Sequence, residues 1–206
     1  MNRVIAYVDG FNLYYGIKSM GWKRYYWLDI QALIRSLLKP GQQLVSTKYF
    51  TSRVSSTPAD PHKAKRQGTY LEALGTLPDF RITYGHYLAK PVRCRKCGAV
   101  WNSHEEKMTD VNMAVEMITD AYGNRFDTAV LVSADSDLIA PVRTVRGLIP
   151  ARQIMIWFPP NRHSTELAQA ANAAYMIGRR KLAESQFPDE VAKPDGYVLR
   201  RPAQWG

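Results

Sequence analysis

The fold is decided by Val4-Ile5-Ala6-Tyr7-Val8-Asp9-Gly10-Phe11-Asn12, a short apolar run that stops abruptly at an aspartate. A second run of this kind occupies residues 129–137, reads Ala-Val-Leu-Val-Ser-Ala-Asp-Ser-Asp, and stops at Asp135 and Asp137. Short apolar runs rich in β-branched residues are typical of strands buried in a parallel sheet. Ligands of open α/β sheets bind outside the carboxyl ends of such strands. We therefore expect Asp9, Asp135 and Asp137 to converge on one crevice.

A fourth carboxylate, Asp110, lies at the start of a predicted helix, where the helix dipole favours an anion. Carboxylates in one crevice repel each other unless a cation joins them, and oxygen ligands suit Mg²⁺ or Mn²⁺. The pattern favours a divalent-metal site formed by Asp9, Asp110, Asp135 and Asp137. A simpler interpretation stays open, in which Asp110 only stabilises a helix start and Asp135 only caps a helix.

Alternation of strand and helix patterns along the chain predicts an α/β fold, with a parallel sheet covered by helices on both faces. The strand patterns cover residues 3–8, 43–51, 80–88, 127–133 and 152–158. The helix patterns cover 12–19, 30–38, 63 to about 75, 107–122, 137–146 and a segment after Ser164. Val111, Ala114, Val115 and Ile118 mark the expected apolar stripe of the helix that carries Asp110. Residues 89–105 interrupt the rhythm as a small insert, and 186–206 resemble an extended basic tail.

The chain has 206 residues, enough for one α/β domain with a full core. Its formal net charge of +10 favours a polyanionic partner, most often nucleic acid, although a basic surface also serves solubility. No apolar run approaches the roughly 20 residues that a membrane span requires. The first residues carry no secretion signal pattern, so we expect a cytoplasmic protein without a membrane partner.

Three motifs follow one another along the chain: Val-Asp-Gly-Phe-Asn-Leu-Tyr-Tyr-Gly at 8–16, Glu-Lys-Met-Thr-Asp-Val at 106–111 and Leu-Val-Ser-Ala-Asp-Ser-Asp-Leu at 131–138. In this order and spacing they resemble the signatures of NYN domains, which belong to the PIN-like ribonuclease superfamily. The resemblance covers about residues 1–177 and leaves 178–206 as a basic C-terminal extension. It implies a PIN-like parallel sheet and a metal-dependent nuclease site, with endoribonuclease action preferred. Beside the four aspartates, it assigns catalytic roles to Asn12 and Lys107.

Arg-Cys-Arg-Lys-Cys-Gly at 93–98 has the Cys-x-x-Cys-Gly pattern of a zinc knuckle. The chain has two cysteines, so one chain cannot form a four-cysteine site, but His86, Cys94, Cys97 and His104 can complete a Cys₂His₂ site. A redox dithiol and two free thiols remain as alternatives. A structural Zn²⁺ would stabilise a small Cys-containing hairpin.

Basic and hydroxyl side chains near these motifs are candidates for substrate binding. They are Arg93, Arg95 and Lys96 in the insert, Lys63 and Arg66 on a basic helix, and Ser133 before Asp135. Aromatic residues cluster between Tyr14 and Trp27, where they either pack in the core or stack on bases of single-stranded RNA.

The leading functional hypothesis is a divalent-metal-dependent ribonuclease whose partner is single-stranded or structured RNA. An RNA-binding adaptor with weak or no catalysis is the first alternative. A small-molecule enzyme that uses the same crevice, such as a nicotinamide-dependent oxidoreductase, is the second. Against the second alternative, Asp9-Gly10-Phe11-Asn12 stands where a dinucleotide-binding G-x-G-x-x-G motif would follow the first strand. The sequence does not fix the oligomeric state.

Overall fold

The computed structural model contains ten strands and seven helices of the α type among its described residues. It describes the backbone of residues 1–206 and the side chains of 1–85, 92–100 and 108–206. The strands are β1 (Asn2–Asp9), β2 (Gln42–Thr51), β3 (Phe80–Tyr84), β4 (His86–Arg93), β5 (Val100–Lys107), β6 (Thr128–Val132), β7 (Gln153–Phe158), β8 (Ala173–Met176), β9 (Glu190–Ala192) and β10 (Val198–Arg200). The helices are α1 (Gly10–Ser19), α2 (Ile30–Leu37), α3 (Lys63–Leu74), α4 (Thr109–Tyr122), α5 (Ile139–Leu148), α6 (Thr165–Ala170) and α7 (Arg179–Glu184).

Six of these strands form one parallel sheet, in the spatial order β3-β2-β1-β6-β7-β8. The strand β1 lies between β2 and β6, so the chain leaves the centre of the sheet in both directions. This arrangement opens a crevice at the carboxyl ends of β1 and β6, where ligands of such sheets bind. The α/β architecture expected from the sequence is confirmed.

Side chains of β1 alternate between two hydrophobic cores, one on each face of the sheet. Val4, Ala6 and Val8 contribute to the core that also contains residues of α1, α2 and α3. Ile5 and Tyr7 contribute to the core that contains residues of α4, α5 and α6. Both faces are therefore covered by helices, which explains why the first strand reads as a continuous apolar run.

Two glycines allow α1 to pack tightly against the end of the sheet. A Cβ at Gly10 would lie 2.5 Å from the ring of Tyr49, and one at Gly16 would lie 2.8 Å from Pro159. Both distances are too short for a side chain, so the close approach of this helix requires glycine at both positions. The packing fixes the first turn of α1 directly after Asp9.

Several element boundaries differ from the sequence-based expectation. The strand predicted at 80–88 is two strands, because β3 ends at Tyr84 and β4 then pairs antiparallel with β5. The interruption of the α/β rhythm therefore spans 86–107 and is wider than expected. The last predicted helix ends at Ala170, and the following residues form β8 at the edge of the main sheet.

Residues 186–206 do not form the extended tail that their prolines and arginines suggested. They contain β9 and β10, which pair antiparallel, and a 3₁₀ turn at Ala203–Trp205. Phe187, Val191 and Leu199 are buried in the same core as α2 and α3. These apolar side chains, spaced among polar residues, attach the segment to the body of the protein.

The predicted apolar stripe of α4 is wrong. Val111 and Val115 are 60% and 57% exposed, whereas Met113 and Met117 are fully buried. Methionine side chains are flexible and fill irregular space in a core. Met113 and Met117 therefore form the buried face of α4 that the valines were expected to form.

A buried ion network attaches α4 to the sheet. The Nζ atom of Lys48 on β2 lies 2.6 Å from a carboxylate oxygen of Glu116 and 2.6 Å from one of Asp120. The hydroxyl of Tyr7 donates to the same Asp120 oxygen at 2.6 Å. Burial, and then this hydrogen bond, raise the pKa of the Tyr7 hydroxyl far above its ordinary value. Arg125 completes the network with an ion pair to Asp120 at 3.1 Å.

Replacement of Lys48 by Met should destabilise the protein, because it leaves the buried carboxylate of Asp120 without its closest cation. Breaking a buried pair in this way costs about 3–5 kcal/mol of unfolding free energy. Urea denaturation followed by circular dichroism measures the effect. Lys65→Met, at an exposed position of α3, is the matched control and should change the stability little. Equal unfolding midpoints for both variants would contradict the structural role of the network.

Candidate metal centre

Asp9 is the last residue of β1 and also the N-cap of α1. Its side chain is held at both oxygens: Oδ1 accepts a hydrogen bond from the backbone N–H of Asn12 at 2.9 Å, and Oδ2 accepts one from the hydroxyl of Ser133 at 3.0 Å. The residue is 5% exposed. A carboxylate this buried and this constrained is pre-oriented for whatever lies in the crevice.

Ser133 and Asn12 connect the end of β1 to the end of β6. The Ser133 hydroxyl accepts a hydrogen bond from the N–H of Asp135 at 3.0 Å, while it donates to Asp9. The side-chain oxygen of Asn12 accepts one from the N–H of Ala134 at 3.2 Å. Both Ser133 and Asn12 are buried. These bonds set the distance between the carboxylates of Asp9 and Asp135.

Asp110 approaches the same place from the first turn of α4. The residue that precedes this helix, Met108, has a φ of 77°. This is a left-handed backbone conformation that residues other than glycine rarely adopt. Strained backbone of this kind is concentrated at functional sites, where the surrounding structure holds it in place. The turn at Met108 directs the chain from β5 into α4 and thereby positions Asp110 in the first turn of that helix.

Three carboxylates meet at this point of the sheet. Ligand oxygens of Asp9, Asp110 and Asp135 all lie within 4.8 Å of one another. Metal–oxygen bonds of Mg²⁺ are about 2.0–2.1 Å long, so one hydrated ion, or a close pair of ions, can span such a group. The set of oxygen-only ligands and the burial of Asp9 both fit a hard divalent cation.

Asp137, the fourth predicted ligand, is not part of this cluster of described side chains. The chain stops being extended after Val132, and a 3₁₀ turn begins at Ser136. Within that turn, the N–H of Asp137 donates to Oδ1 of Asp135 at 3.0 Å, and the Asp137 side chain is exposed. The expectation that alternate residues would share one face failed because the strand ends too early.

Ser133 differs from the expectation in another way. It is fully buried, and its hydroxyl is engaged with Asp9 and Asp135, so it positions carboxylates and does not present a hydroxyl to a substrate. The side chain of Lys107 lies outside the described residues, and its predicted role stays a prediction.

The predicted zinc ligands are only partly described. Neither Cys94 nor Cys97 is in a disulfide. Backbone N–H groups of Cys97 and Lys96 hydrogen-bond to the Cys94 sulfur and lower the pKa of that thiol. The thiolate is the form that binds metals. The side chains of His86 and His104 lie outside the described residues. Their backbones pair with Lys107 and Ala89, toward the end of the β4–β5 hairpin that is opposite to the cysteines, so the predicted four-residue zinc site is wrong.

The predicted basic contacts fall into two groups. Arg93, Arg95 and Lys96 are exposed near the turn between β4 and β5. Lys63 and Arg66, on α3, line a cavity of about 290 Å³ that also reaches Gly10, the residue after Asp9.

Sequence reasoning missed some residues of this cavity. Tyr70 and Trp205 belong to its wall, but they are far from the motifs along the chain, and nothing in their local sequence indicates a site. The aromatic cluster between Tyr14 and Trp27 and the basic residues Lys63 and Arg66 were the available signals, and they supply part of the same wall.

The chain is similar to two known proteins along most of its length. The chain is 29% identical, over 241 aligned residues, to the 6-hydroxy-3-succinoylpyridine 3-monooxygenase HspA of Pseudomonas putida (strain DSM 28022 / S16). That alignment covers 98% of this chain and 75% of the monooxygenase. The fold is similar to a crystal structure of a protein of unknown function from Vibrio parahaemolyticus RIMD 2210633, with a TM-score of 0.56 and 19% sequence identity. That likeness covers 90% of this chain and 96% of the other.

The model of the NYN domain matches residues 3–178. This span contains all six strands of the main sheet and the three clustered aspartates. It covers most of the chain, and this protein therefore belongs to the NYN domain family.

Proposed function

We propose that this protein is a divalent-metal-dependent ribonuclease. The observation that carries the proposal is the convergence of Asp9, Asp110 and Asp135, whose ligand oxygens lie within 4.8 Å of one another at the carboxyl ends of β1 and β6. Membership of the NYN family, which usually comprises nucleases, supports it. The formal charge of +10 supports a polyanionic substrate such as RNA, and among the described helices none has both the length and the apolar composition needed to cross a lipid bilayer.

The contacts of each residue in the site suggest its role. Asp9, Asp110 and Asp135 would hold Mg²⁺ or Mn²⁺, and Ser133 and Asn12 keep the first and third of these carboxylates at a fixed separation. When bound, such ions activate a water and stabilise the leaving oxygen of a phosphodiester. The resemblance to the family adds Lys107 as a catalytic residue next to the acidic cluster. Asp137, the fourth metal ligand that the resemblance implies, lies outside the cluster of described side chains.

A second candidate function is supported by a specific observation. The similarity to a monooxygenase of a substituted pyridine spans nearly the whole chain, and an aromatic cavity opens beside Asp9. Both would suit an oxidoreductase that acts on a small heteroaromatic compound, as in the small-molecule alternative considered from the sequence. The nuclease is preferred because all three clustered ligands are carboxylates at the positions of the family motifs.

The metal proposal predicts graded losses of Mn²⁺ affinity, which titration calorimetry measures directly. Asp135→Asn removes a ligand and should weaken binding by more than about 100-fold. Ser133→Ala removes a support of two ligands and should cost roughly 10–100-fold. Asp137→Asn, two residues further on and outside the cluster, is the matched control and should change the affinity least. Wild-type affinity in Asp135→Asn would refute the site.

The catalytic proposal predicts that Asp135→Asn abolishes RNA cleavage while RNA binding is retained, because the basic surface is unchanged. Labelled RNA and DNA of the same sequence are incubated with Mg²⁺, with Mn²⁺ or with EDTA, and binding is measured separately by fluorescence anisotropy. Cleavage by the wild type that persists in EDTA would contradict metal dependence. Binding without any cleavage by the wild type would favour the adaptor function instead.

The predicted Cys₂His₂ zinc site does not agree with the pairing of β4 and β5. His86 pairs with Lys107 at one end of this hairpin, whereas Cys94 and Cys97 lie in the turn at the other end. At about 3.3 Å per strand residue, the backbones of His86 and His104 are roughly 25 and 15 Å from that turn, too far to share one Zn²⁺ with the cysteines. We therefore do not propose this site.

A further inference from the structure

A cavity of about 290 Å³ lies between α1, α3 and the chain around Trp205. Gly10 and Phe11, the two residues that follow Asp9, form part of its lining. These two residues connect the cavity to Asp9 along the chain, although none of the three clustered aspartates lines it. The metal-binding roles proposed for the clustered aspartates do not use this space.

Aromatic rings form much of the wall. The ring of Trp205 stands edge-on to the rings of Tyr26 and Tyr70, with centroid distances of 5.7 and 6.1 Å and interplanar angles of 90° and 82°. The ring centroids of Tyr14 and Tyr26 are 5.0 Å apart. Rings at such angles present both faces and edges to a guest, and they favour a planar ring over an aliphatic chain of similar size.

The polar groups of the wall are hydroxyls that keep their protons. The hydroxyls of Tyr14 and Tyr26 are hydrogen-bonded to each other, and burial raises the pKa of Tyr26 to about 12. Tyr70 donates its hydroxyl hydrogen to the carbonyl oxygen of Leu28 at 2.9 Å. At neutral pH these groups add polarity without negative charge, which suits the ring nitrogens and oxygens of a heterocycle.

The charged groups of the lining are mainly cationic. They are Lys18, Lys63 and Arg66, with Asp60 as the single carboxylate. Arg66 forms an ion pair with Asp60, which holds the guanidinium in place. Lys63 lies one helical turn from Arg66 on α3, so both cations can face the same anion. The cavity thus combines an aromatic interior with a positive rim.

We propose that this cavity binds a planar heteroaromatic ring that carries an anionic group, with the ring among Tyr14, Tyr26, Tyr70 and Trp205 and the anion at Lys63 and Arg66. Two sources have this chemistry: a nucleotide of an RNA chain and a free heteroaromatic acid. The inference concerns binding and does not depend on whether the protein cleaves RNA.

Isothermal titration calorimetry in EDTA tests the proposal without the metal. The probes are adenosine 5′-monophosphate, uridine 5′-monophosphate and nicotinate, with adenosine as a ring without an anion and ribose 5-phosphate as an anion without a ring. We expect at least one ring-bearing anion to bind, and adenosine and ribose 5-phosphate to bind about tenfold more weakly or not at all. Preference for the nucleotides supports RNA as the source, and preference for nicotinate supports the free acid.

Variants locate the binding. Trp205→Ala and Lys63→Gln should each weaken binding of the preferred probe about tenfold, because one removes a ring and the other a cation. Lys65→Gln, an exposed position of the same helix that does not line the cavity, is the matched control. Trp205→Phe should restore most of the affinity, and the thermal midpoint of each variant shows that it remains folded.

Two results would overturn the inference. One is the absence of binding by every ring-bearing anion at millimolar concentration. The other is binding that Trp205→Ala and Lys63→Gln leave unchanged in folded protein. Asp135→Asn should bind the probe like the wild type, so loss of cleavage in that variant does not bear on the cavity. Failure of the cavity proposal and failure of the nuclease proposal are therefore separate results.

Discussion

The geometry of the site depends on the buried ion pairs that the ammonium of Lys48 forms with Glu116 and Asp120. It joins β2 to α4 inside the protein, where an unpaired charge would be very costly. Because α4 also carries Asp110, the ion pairs that hold this helix on the sheet also hold Asp110 near the other two carboxylates. Asp9 and Asp135 are held by a different device, the hydrogen bonds of Ser133 between neighbouring strand ends. Two independent constraints thus bring three acidic side chains together against their mutual repulsion.

The sequence was informative where backbone geometry alone sets the outcome. Asp9 and Asp135 were predictable because strands of a parallel sheet end at the same edge, and a β-branched run that stops at an aspartate marks that edge. Asp137 was misplaced because the hydrogen bond from its N–H to Asp135 starts a turn that the pattern of alternating residues does not reveal. The buried face of α4 was misjudged because two methionines, and not the valines, fill the core. Trp205 could not be predicted, since only the folded chain places it beside α1 and α3.

The relatives of this chain illustrate that a fold does not determine one chemistry. The family is usually nucleolytic, whereas a protein similar along 98% of this chain is named as a monooxygenase of a substituted pyridine. A crevice that combines clustered carboxylates with an aromatic, cationic cavity is compatible with either kind of substrate. A nucleotide and a pyridine with an acidic side chain share a flat nitrogen heterocycle and a negative charge. The ring corresponds to the aromatic wall of the cavity, and the negative charge corresponds to its cationic rim.

The contribution of Trp205 to the cavity has a consequence for how such proteins diverge. The match to the NYN domain ends at residue 178, so the clustered aspartates lie within the family domain while this ring of the cavity wall lies beyond it. Residues 179–206 are attached through a few buried apolar side chains and a short hairpin. Changes in this segment can reshape the pocket without disturbing the hydrogen bonds that hold the carboxylates. Selection for a new ligand and conservation of the reaction centre can therefore act on separate stretches of the gene.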